Sequence, residues 1–341
     1  MKTPIPRQLA LAALAGMLTV LCGTVSASEV NVYSFRQPDL INPVFKRFTS
    51  ETGIKVNTVF AKQGLIERLR TEGINSPADL VLSTDSGPLE AAMQADLLAP
   101  LDNTTLEQSI PAALRDPDGR WFGLTSRARI VVTAKDRPLV NPITRYEDLT
   151  NPAFRGMICT RSGKHPYMIA LIASMIAHSG ETAAREWLIG VKKNLSRKPQ
   201  GNDRAQVKAI WQGECDIALI NSYYMGQMLA DDEQQAWANA VNITFPNQSD
   251  RGTHVNISGV SLTQASPNRD NAIKLMEFLV SESAQSIYAE ENYEYPVNPA
   301  VASSELVQSW GEFKADELSL TDIGKHRATA VILVDETGYD N

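Results

Sequence analysis

The chain has 341 residues, of which 43% are hydrophobic and 21% are charged, and its formal net charge at pH 7 is −7. This length is enough for two lobes of about 100–200 residues each. The acidic balance argues against nucleic acid and anionic membranes as partners, because both bind to basic patches.

The N-terminus, residues 1–27, has the pattern of an export signal. Lys2 and Arg7 provide a positive start, residues 9–22 form an apolar stretch, and residues 25–27 (Val-Ser-Ala) form a small-residue cleavage site. We expect cleavage after Ala27. No later apolar run approaches the roughly 20 residues of a membrane span, so we expect the exported chain to be soluble.

Strand and helix patterns alternate along the rest of the chain, which favours an α/β fold with largely parallel sheets. The predicted elements of the first part are a strand at 30–33, a helix at 39–51 ended by Gly53, a strand at 54–60, a helix at 64–72, a strand at 78–83 and an extended run at 121–132. Those of the second part are a strand at 157–160, an apolar helix from Pro166 to His178 ended by Gly180, a helix capped by Asp203, a strand at 216–220 followed by Asn221 and Ser222 as caps, and a helix or helix pair at 271–290.

Two cysteines, Cys159 and Cys215, remain once the export segment is removed. In an oxidising compartment an isolated pair favours a disulfide. Both lie near the ends of predicted strands, each a few residues before a tyrosine discussed below, so a bridge would hold two loops together. Two buried, unpaired thiols are the alternative, because spacing alone does not decide between them.

Several predicted strand ends carry an oxygen-bearing side chain. Tyr33 ends the first strand, Asp85 and Tyr167 follow two later strands, and the adjacent Tyr223 and Tyr224 follow the strand at 216–220. In open α/β sheets, ligands bind outside the carboxyl ends of the strands. If two sheets face each other across a cleft, these side chains converge there.

The adjacent tyrosines indicate a hard metal ion. Phenolates are hard oxygen donors, which highly charged cations such as Fe³⁺ prefer, whereas Zn²⁺ and Cu²⁺ prefer imidazole or thiolate. The histidines are scattered along the chain, and only His165 lies where it could reach the site. Because a metal must displace the protons of phenols whose reference pKa is near 10, its affinity should fall as the pH falls.

Segments along the whole mature chain resemble the periplasmic ferric-iron-binding proteins of ABC importers, particularly their multi-tyrosine, cyanobacterial-type branch. These segments are Val32-Tyr33-Ser34 with Arg36, residues 78–85 (Ala-Asp-Leu-Val-Leu-Ser-Thr-Asp), 121–129 (Trp-Phe-Gly-Leu-Thr-Ser-Arg-Ala-Arg), 221–226 (Asn-Ser-Tyr-Tyr-Met-Gly), 271–279 and 292–299. The resemblance implies a two-lobed periplasmic binding protein of type 2, of class α/β, with a ligand cleft between the lobes and a two-stranded hinge.

The resemblance also implies a domain arrangement and a role. The first lobe would comprise residues 28–125 plus about 250–300, and the second 126–249 plus about 301–341. The protein would be a periplasmic, monomeric solute-binding protein and not an enzyme. It would capture Fe³⁺ or a small ferric chelate and deliver it to an inner-membrane ABC permease and its ATPase.

Ligand residues follow from the resemblance position by position. Tyr33 would be the iron ligand of the first lobe, and Tyr167, Tyr223 and Tyr224 the ligands of the second lobe. Where the family often carries a histidine this chain has Gln37, so we expect an all-oxygen site.

Four phenolates around Fe³⁺ would leave a net charge of −1, which nearby cations should offset. We expect Arg127 to fill this role first, with Arg129 and Arg36 behind it; alternatively, a small anion such as carbonate would lie against these guanidinium groups. Asp85 lies where related proteins have an acidic group, and we expect it to contact the ligand shell or the anion rather than the metal.

Two alternatives remain from the sequence. The same fold can bind a small organic or oxyanion solute for ABC import, but an oxyanion site would offer Ser, Thr and helix N-termini, and an organic-cation site a tryptophan-rich box. Neither pattern is evident, although Trp121 keeps the second reading open. An exported enzyme is the other alternative, and no nucleophile elbow, H-E-x-x-H or P-loop motif supports it.

Overall fold

The computed structural model of the protein describes residues 28–341, and the predicted export segment lies outside them. Nine strands are described within this part of the chain: β1 (Glu29–Ser34), β2 (Lys55–Phe60), β3 (Leu80–Ser83), β4 (Phe122–Ala134), β5 (Ile158–Cys159), β6 (Ile217–Asn221), β7 (Val241–Thr244), β8 (Val255–Leu262) and β9 (Tyr295–Pro296).

The helices of the same residues alternate with these strands. They are α1 (Pro38–Thr52), α2 (Leu65–Glu72), α3 (Ser86–Gln94), α4 (Thr104–Ser109), α5 (Pro166–Asn194), α6 (Asp203–Trp211), α7 (Tyr223–Leu229), α8 (Gln235–Asn239), α9 (Arg269–Leu279), α10 (Glu282–Asn292), α11 (Glu305–Gln308), α12 (Leu320–Gly324) and α13 (Arg327–Glu336). No helix within residues 28–341 combines the length and the apolar character that a membrane crossing requires.

The strands form a sheet of order β2-β1-β3-β8-β4-β6-β5, with β7 and β9 also paired to β4. β1 runs parallel to β2 and β3, and β5 runs parallel to β6. β4 is the element that both halves of the sheet share. Its residues up to Ala128 pair with β8, and from Arg129 onward it pairs with β6 and β7.

The helix ends predicted at Gly53 and Gly180 are confirmed, because the backbone at both positions adopts a conformation that favours glycine. Gly53 ends α1 in the left-handed region at φ 73°, and its N–H donates to the carbonyl of Thr49. Gly180 interrupts α5 at φ 84°, ψ 166°, so the chain forms two helices across a kink there. Residues with a side chain adopt these φ values only at a cost, which explains why glycine marks both boundaries.

Three predicted helix caps are wrong. Asn221 lies in β6, and its side-chain oxygen accepts from Arg129 Nη1 at 3.0 Å. Asn202, not Asp203, caps α6: its side chain accepts a hydrogen bond from the N–H of Ala205 at 3.0 Å. Ser222 does not cap α7 either, because its hydroxyl instead accepts from the N–H of Ala128 in β4 at 3.2 Å. In each case the side chain that local sequence assigned to a cap is hydrogen-bonded to a residue distant in the chain.

The C-terminal helices contact both halves of the molecule. α12 and α13 pack along α5, and α12 also packs against α3, which follows β3 in the other half. The chain therefore spans the two halves through β4, through β8 and through this C-terminal segment. The predicted lobe boundaries stay a prediction; the change of pairing at Ala128 and Arg129 lies close to the one predicted at 125/126.

The predicted disulfide is present. Cys159 at the end of β5 is bonded to Cys215 just before β6, with their Cα atoms 5.9 Å apart. Since β5 and β6 are adjacent parallel strands, the bridge links the chain segments that enter the two loops carrying Tyr167 and Tyr223.

We predict that reducing this bridge lowers the free energy of unfolding by about 2–4 kcal/mol, because the bridge closes a long loop in the unfolded chain. The measurement is urea unfolding with and without a thiol reductant. The matched control is the double variant Cys159→Ser/Cys215→Ser, which should behave like the reduced protein and ignore the reductant. Equal stability of the oxidised and reduced forms would contradict the prediction.

Candidate metal centre

Three phenols converge at one edge of the sheet. Tyr167 lies in the first turn of α5, which follows β5, and Tyr223 and Tyr224 begin α7, directly after β6. The hydroxyl oxygens of Tyr167 and Tyr223 are 3.4 Å apart. The rings of Tyr223 and Tyr224 stack with centroids 4.2 Å apart. The parallel pairing of β5 and β6 explains the convergence, because the loops after both strands emerge at the same edge.

Arginines surround these rings. The guanidinium carbons of Arg127 and Arg161 lie 5.6 and 5.0 Å from the centroid of Tyr167. The guanidinium carbon of Arg204 lies 5.5 Å from the centroid of Tyr224. Cations in these positions are attracted to the aromatic faces and would also stabilise negative charge on the phenol oxygens.

A buried carboxylate holds one side of this arrangement. Asp203 accepts hydrogen bonds from Arg129 Nη1 at 2.7 Å, from Arg161 Nη1 at 2.9 Å and from the N–H of Asn221 at 2.8 Å. Burial disfavours its charged form, but Arg129 and Arg161 outweigh burial and lower the pKa of Asp203. Asp203 thus positions Arg161, one of the two arginines that lie over Tyr167.

The predicted cations Arg36 and Arg127 lie side by side. Both donate to the hydroxyl of Ser258 in β8, at 2.7 and 3.0 Å. Arg36 is neutralised by a two-point ion pair with Glu294, at 3.2 and 2.5 Å. Arg127 instead donates to the backbone carbonyl of Thr84 and forms no ion pair among the described residues. Of these two predicted cations, Arg127 is therefore the one whose charge no carboxylate neutralises; its role at the site stays a prediction.

Tyr223 and Tyr224 hold their protons more tightly than free tyrosines do. Burial raises the pKa of Tyr223 well above its usual value, Tyr167 and Tyr224 raise it further, and Arg127 opposes them. Burial and the charge of Tyr167 raise the pKa of Tyr224 to about 12. These phenols become phenolates only when a cation displaces their protons, which makes the cluster a potential metal site.

His165 lies beside the cluster as a neutral imidazole, with its ring centroid 4.6 Å from that of Tyr167. Its Nδ1 accepts from the N–H of Tyr167 at 3.2 Å and caps α5. Burial and the nearby Arg161 lower its pKa to about 3. Within residues 28–341 no group of three or more histidine, cysteine, aspartate or glutamate side chains could hold a metal ion.

Tyr33 is not part of the cluster. Its hydroxyl donates to both carboxylate oxygens of Glu72 at 2.8 Å, and the guanidinium carbon of Arg68 lies 4.8 Å from its ring centroid. Burial and Glu72 raise its pKa. The structure thus places the predicted first-lobe ligand against α2, where it packs in the core.

A cavity of about 660 Å³ opens between the two halves next to the phenols. Tyr167, Tyr224, Arg161 and Asn202 line one wall, and the opposite wall is formed by side chains of the first half: Phe35, Gln37, Phe60, Lys62 and Asp85. Asp85 faces the cavity, but both of its carboxylate oxygens are hydrogen-bonded to other protein groups. It accepts from the N–H of Gly87 at 2.8 Å as the cap of α3, and from Asn256 Nδ2 at 2.6 Å.

The sequence reading missed three charged residues of the site. Arg161 lies in the loop before Tyr167, Arg204 lies in the first turn of α6, and Asp203 precedes it. Asp203 was assigned to a cap, and the arginines had no local motif. Only Arg161 had a positional signal, because it directly follows the predicted strand at 157–160; Asp203 and Arg204 open a helix and lie near no strand end that the sequence had selected.

We predict that Asp203→Asn lowers the free energy of unfolding by about 3–5 kcal/mol, because two buried arginines lose their carboxylate partner. The pKa of Asp203 is lowered in the folded chain, so this contribution is present at neutral pH and is lost only as the pH falls through that lowered pKa. Urea unfolding at neutral pH measures it. The control Asp322→Asn breaks an exposed pair with Lys325 and should cost under about 1 kcal/mol; equal losses in the two variants would refute the assignment.

Residues 75–312 match a protein family described as bacterial extracellular solute-binding protein. The iron uptake protein A1 of Synechocystis is 43% identical over 314 residues, covering 91% of this chain and 87% of that protein. The apo ferric ion-binding protein A of Pasteurella haemolytica has a TM-score of 0.88 at 49% identity, covering 92% of this chain and 99% of that one. A Trichodesmium protein in complex with iron and citrate has a TM-score of 0.86 at 41% identity, covering 91% and 99%.

These likenesses extend over nearly the whole described chain, and they confirm the predicted two-lobed binding-protein fold. The relatives are uptake and binding proteins, in agreement with the role that the sequence predicted. The chain belongs to the bacterial extracellular solute-binding protein family.

Proposed function

We propose that the protein captures ferric iron in the periplasm and delivers it to an ABC-type inner-membrane permease. The observation that carries the proposal is the convergence of Tyr167, Tyr223 and Tyr224 at one edge of the cleft, with two hydroxyl oxygens 3.4 Å apart. Iron as the cargo is supported by the names of the relatives described above. Delivery to a permease follows from membership of a solute-binding family.

Charge balance supports a site made of these three tyrosines. Three phenolates neutralise the charge of Fe³⁺, so the excess of −1 expected for four phenolates does not arise when Tyr33 is left out. The surrounding guanidinium groups are then not needed to neutralise the metal ligands. Among the described residues, Arg127 and Arg204 form no ion pair with a carboxylate; Arg204 donates to Gln227 Oε1 at 2.5 Å.

An anion completes the charge pattern. Three protein ligands leave part of the coordination sphere of Fe³⁺ open, and the unneutralised guanidinium groups beside it attract negatively charged oxygen donors. We propose that a small anion such as carbonate, or the carboxylates of a ferric chelate, occupies this part of the cavity. Asp85 is turned toward Asn256 and the start of α3, so it acts on the cleft wall and not on the metal.

We predict that ferric citrate added to the mature protein produces a visible tyrosinate-to-iron charge-transfer band that saturates at one iron per chain. Replacing Tyr167, Tyr223 or Tyr224 by Phe should weaken binding by at least about 100-fold, since even the outer partners of metal ligands contribute 10–100-fold. Absorbance titration of each variant measures this effect. A protein that stays folded without any band would favour an organic or oxyanion cargo.

Tyr33→Phe is the matched control for these variants. It removes the same atom from a buried tyrosine whose hydroxyl bonds to Glu72 outside the cluster. We expect an unchanged band and unchanged affinity. A loss as large as that of Tyr223→Phe would instead establish Tyr33 as the first-lobe ligand that the family resemblance implied.

We predict that iron affinity falls steeply on acidification. The pKa values of Tyr223 and Tyr224 lie above their ordinary range, so these phenols carry their protons at neutral pH, and iron must displace one proton from each ligand. Binding is therefore strengthened at higher pH and lost as the pH falls. Proton release can be followed with an indicator dye in weak buffer during the titration. Binding without proton release would exclude phenolate ligation.

A further inference from the structure

An ion pair joins the two walls of the cleft. Arg327, the first residue of α13, places Nη2 2.8 Å from Oδ1 of Asp85, the cap of α3. Only 17% of the Arg327 side chain and 4% of the Asp85 side chain are exposed. Both residues line the same cavity as Tyr167 and Tyr224, so the pair forms part of its boundary.

Arg327 is anchored to the half that carries the tyrosines. α13 packs along α5, and the residues that follow it bond to the loop between β5 and α5. The hydroxyls of Tyr339 and Thr160 are 3.0 Å apart, and the hydroxyl of Ser162 donates to Asp340 at 2.7 Å. Arg327 therefore moves with this half.

Asp85 is anchored to the other half. It follows β3 directly and caps α3 through the N–H of Gly87. Asn256 in β8 donates to its second carboxylate oxygen at 2.6 Å. The carboxylate is thus oriented before Arg327 reaches it, and its charge is fixed at the cleft wall.

Two glycines make room for the approach. A Cβ atom on Gly87 would lie 2.5 Å from Arg327 Nη2, and a Cβ on Gly324 in α12 would lie 3.0 Å from the carboxyl carbon of Glu90 in α3. Neither glycine has a positive φ, so close approach rather than backbone conformation explains the absence of a side chain. The contact between the C-terminal segment and α3 is therefore built into the sequence at both helices.

We infer that the Arg327–Asp85 pair is a closing contact that retains the cargo. It forms when the half carrying the tyrosines closes over bound iron, and it breaks when the cleft opens for release. A contact made only in the closed state shifts the equilibrium toward that state by its own free energy. This inference rests on the proposed ferric cargo, because retention requires something to be retained.

The test compares the rates at which iron-loaded variants lose their charge-transfer band to excess EDTA. Arg327→Gln removes one partner of the pair. Asp85→Asn removes the other charge and keeps an oxygen to cap α3. Gly87→Ala displaces Arg327 without deleting a charge, and alanine favours the helix in which it lies. Lys325→Gln is the control, because it removes a cation two residues away that pairs with Asp322 inside the same short segment.

We expect Arg327→Gln and Asp85→Asn each to release iron roughly 5- to 50-fold faster, with the double variant no faster than either single variant. Gly87→Ala should act in the same direction, and Lys325→Gln should match the wild type. The band itself should be unchanged, since the ligands are intact. Small-angle X-ray scattering should show that iron-loaded Arg327→Gln is more expanded than the iron-loaded wild type.

Three results would overturn the inference: wild-type release from Arg327→Gln, additive effects of the two single variants, or an equal loss of thermal stability in the iron-free and iron-loaded forms. The last would make the pair a static contact. If the wild type shows no ferric band, the proposed function fails instead. The closing contact then has no cargo to retain and fails with it, whereas a ferric band combined with wild-type release from Arg327→Gln refutes the closing contact alone.

Discussion

The geometry of the cleft depends on the pairing of β4 with β8. β4 pairs with β8 up to Ala128 and with β6 from Arg129 onward, so a single strand carries side chains into both halves of the sheet. Arg127 and Arg129 are two residues apart and lie on the same face of this strand. Arg127 contacts Ser258 in β8, and Arg129 contacts Asn221 in β6. A shift of the pairing by one residue would turn both side chains to the opposite face of the sheet.

The cleft is cationic although the chain as a whole is acidic. Arg36 is matched by Glu294, Arg129 and Arg161 share Asp203, and Arg327 is matched by Asp85. Neutral phenols add no negative charge, so the local potential is set by the guanidinium groups that have no carboxylate partner. Such a field lowers the cost of forming phenolates and draws anions toward the metal position. This positive potential attracts a free trivalent cation less strongly than a cation that arrives bound to anions.

The sequence located the second-lobe side of the site because the information there is local. A buried strand followed by Tyr223 and Tyr224 places two phenols at a strand end without reference to the rest of the chain. Tyr33 also ends a strand, but its partner Glu72 lies 39 residues away, and only the folded chain shows that the two meet. The same limit applies to Arg36, which bonds to Ser258 at a separation of 222 residues. Strand ends could be predicted, but the direction of each side chain depended on such distant partners.

If iron is captured in the periplasm, as we propose, the disulfide between Cys159 and Cys215 separates metal capture from synthesis. In the reducing cytoplasm both residues would be thiols, and the two strands that lead to Tyr167 and Tyr223 would pair without a covalent link between them. On this proposal the covalent link forms after export, when the chain reaches an oxidising compartment. A nascent chain therefore has its tyrosine-bearing loops unlinked wherever cytoplasmic metal is present. The membrane crossing itself then determines which pool of metal the mature site first encounters.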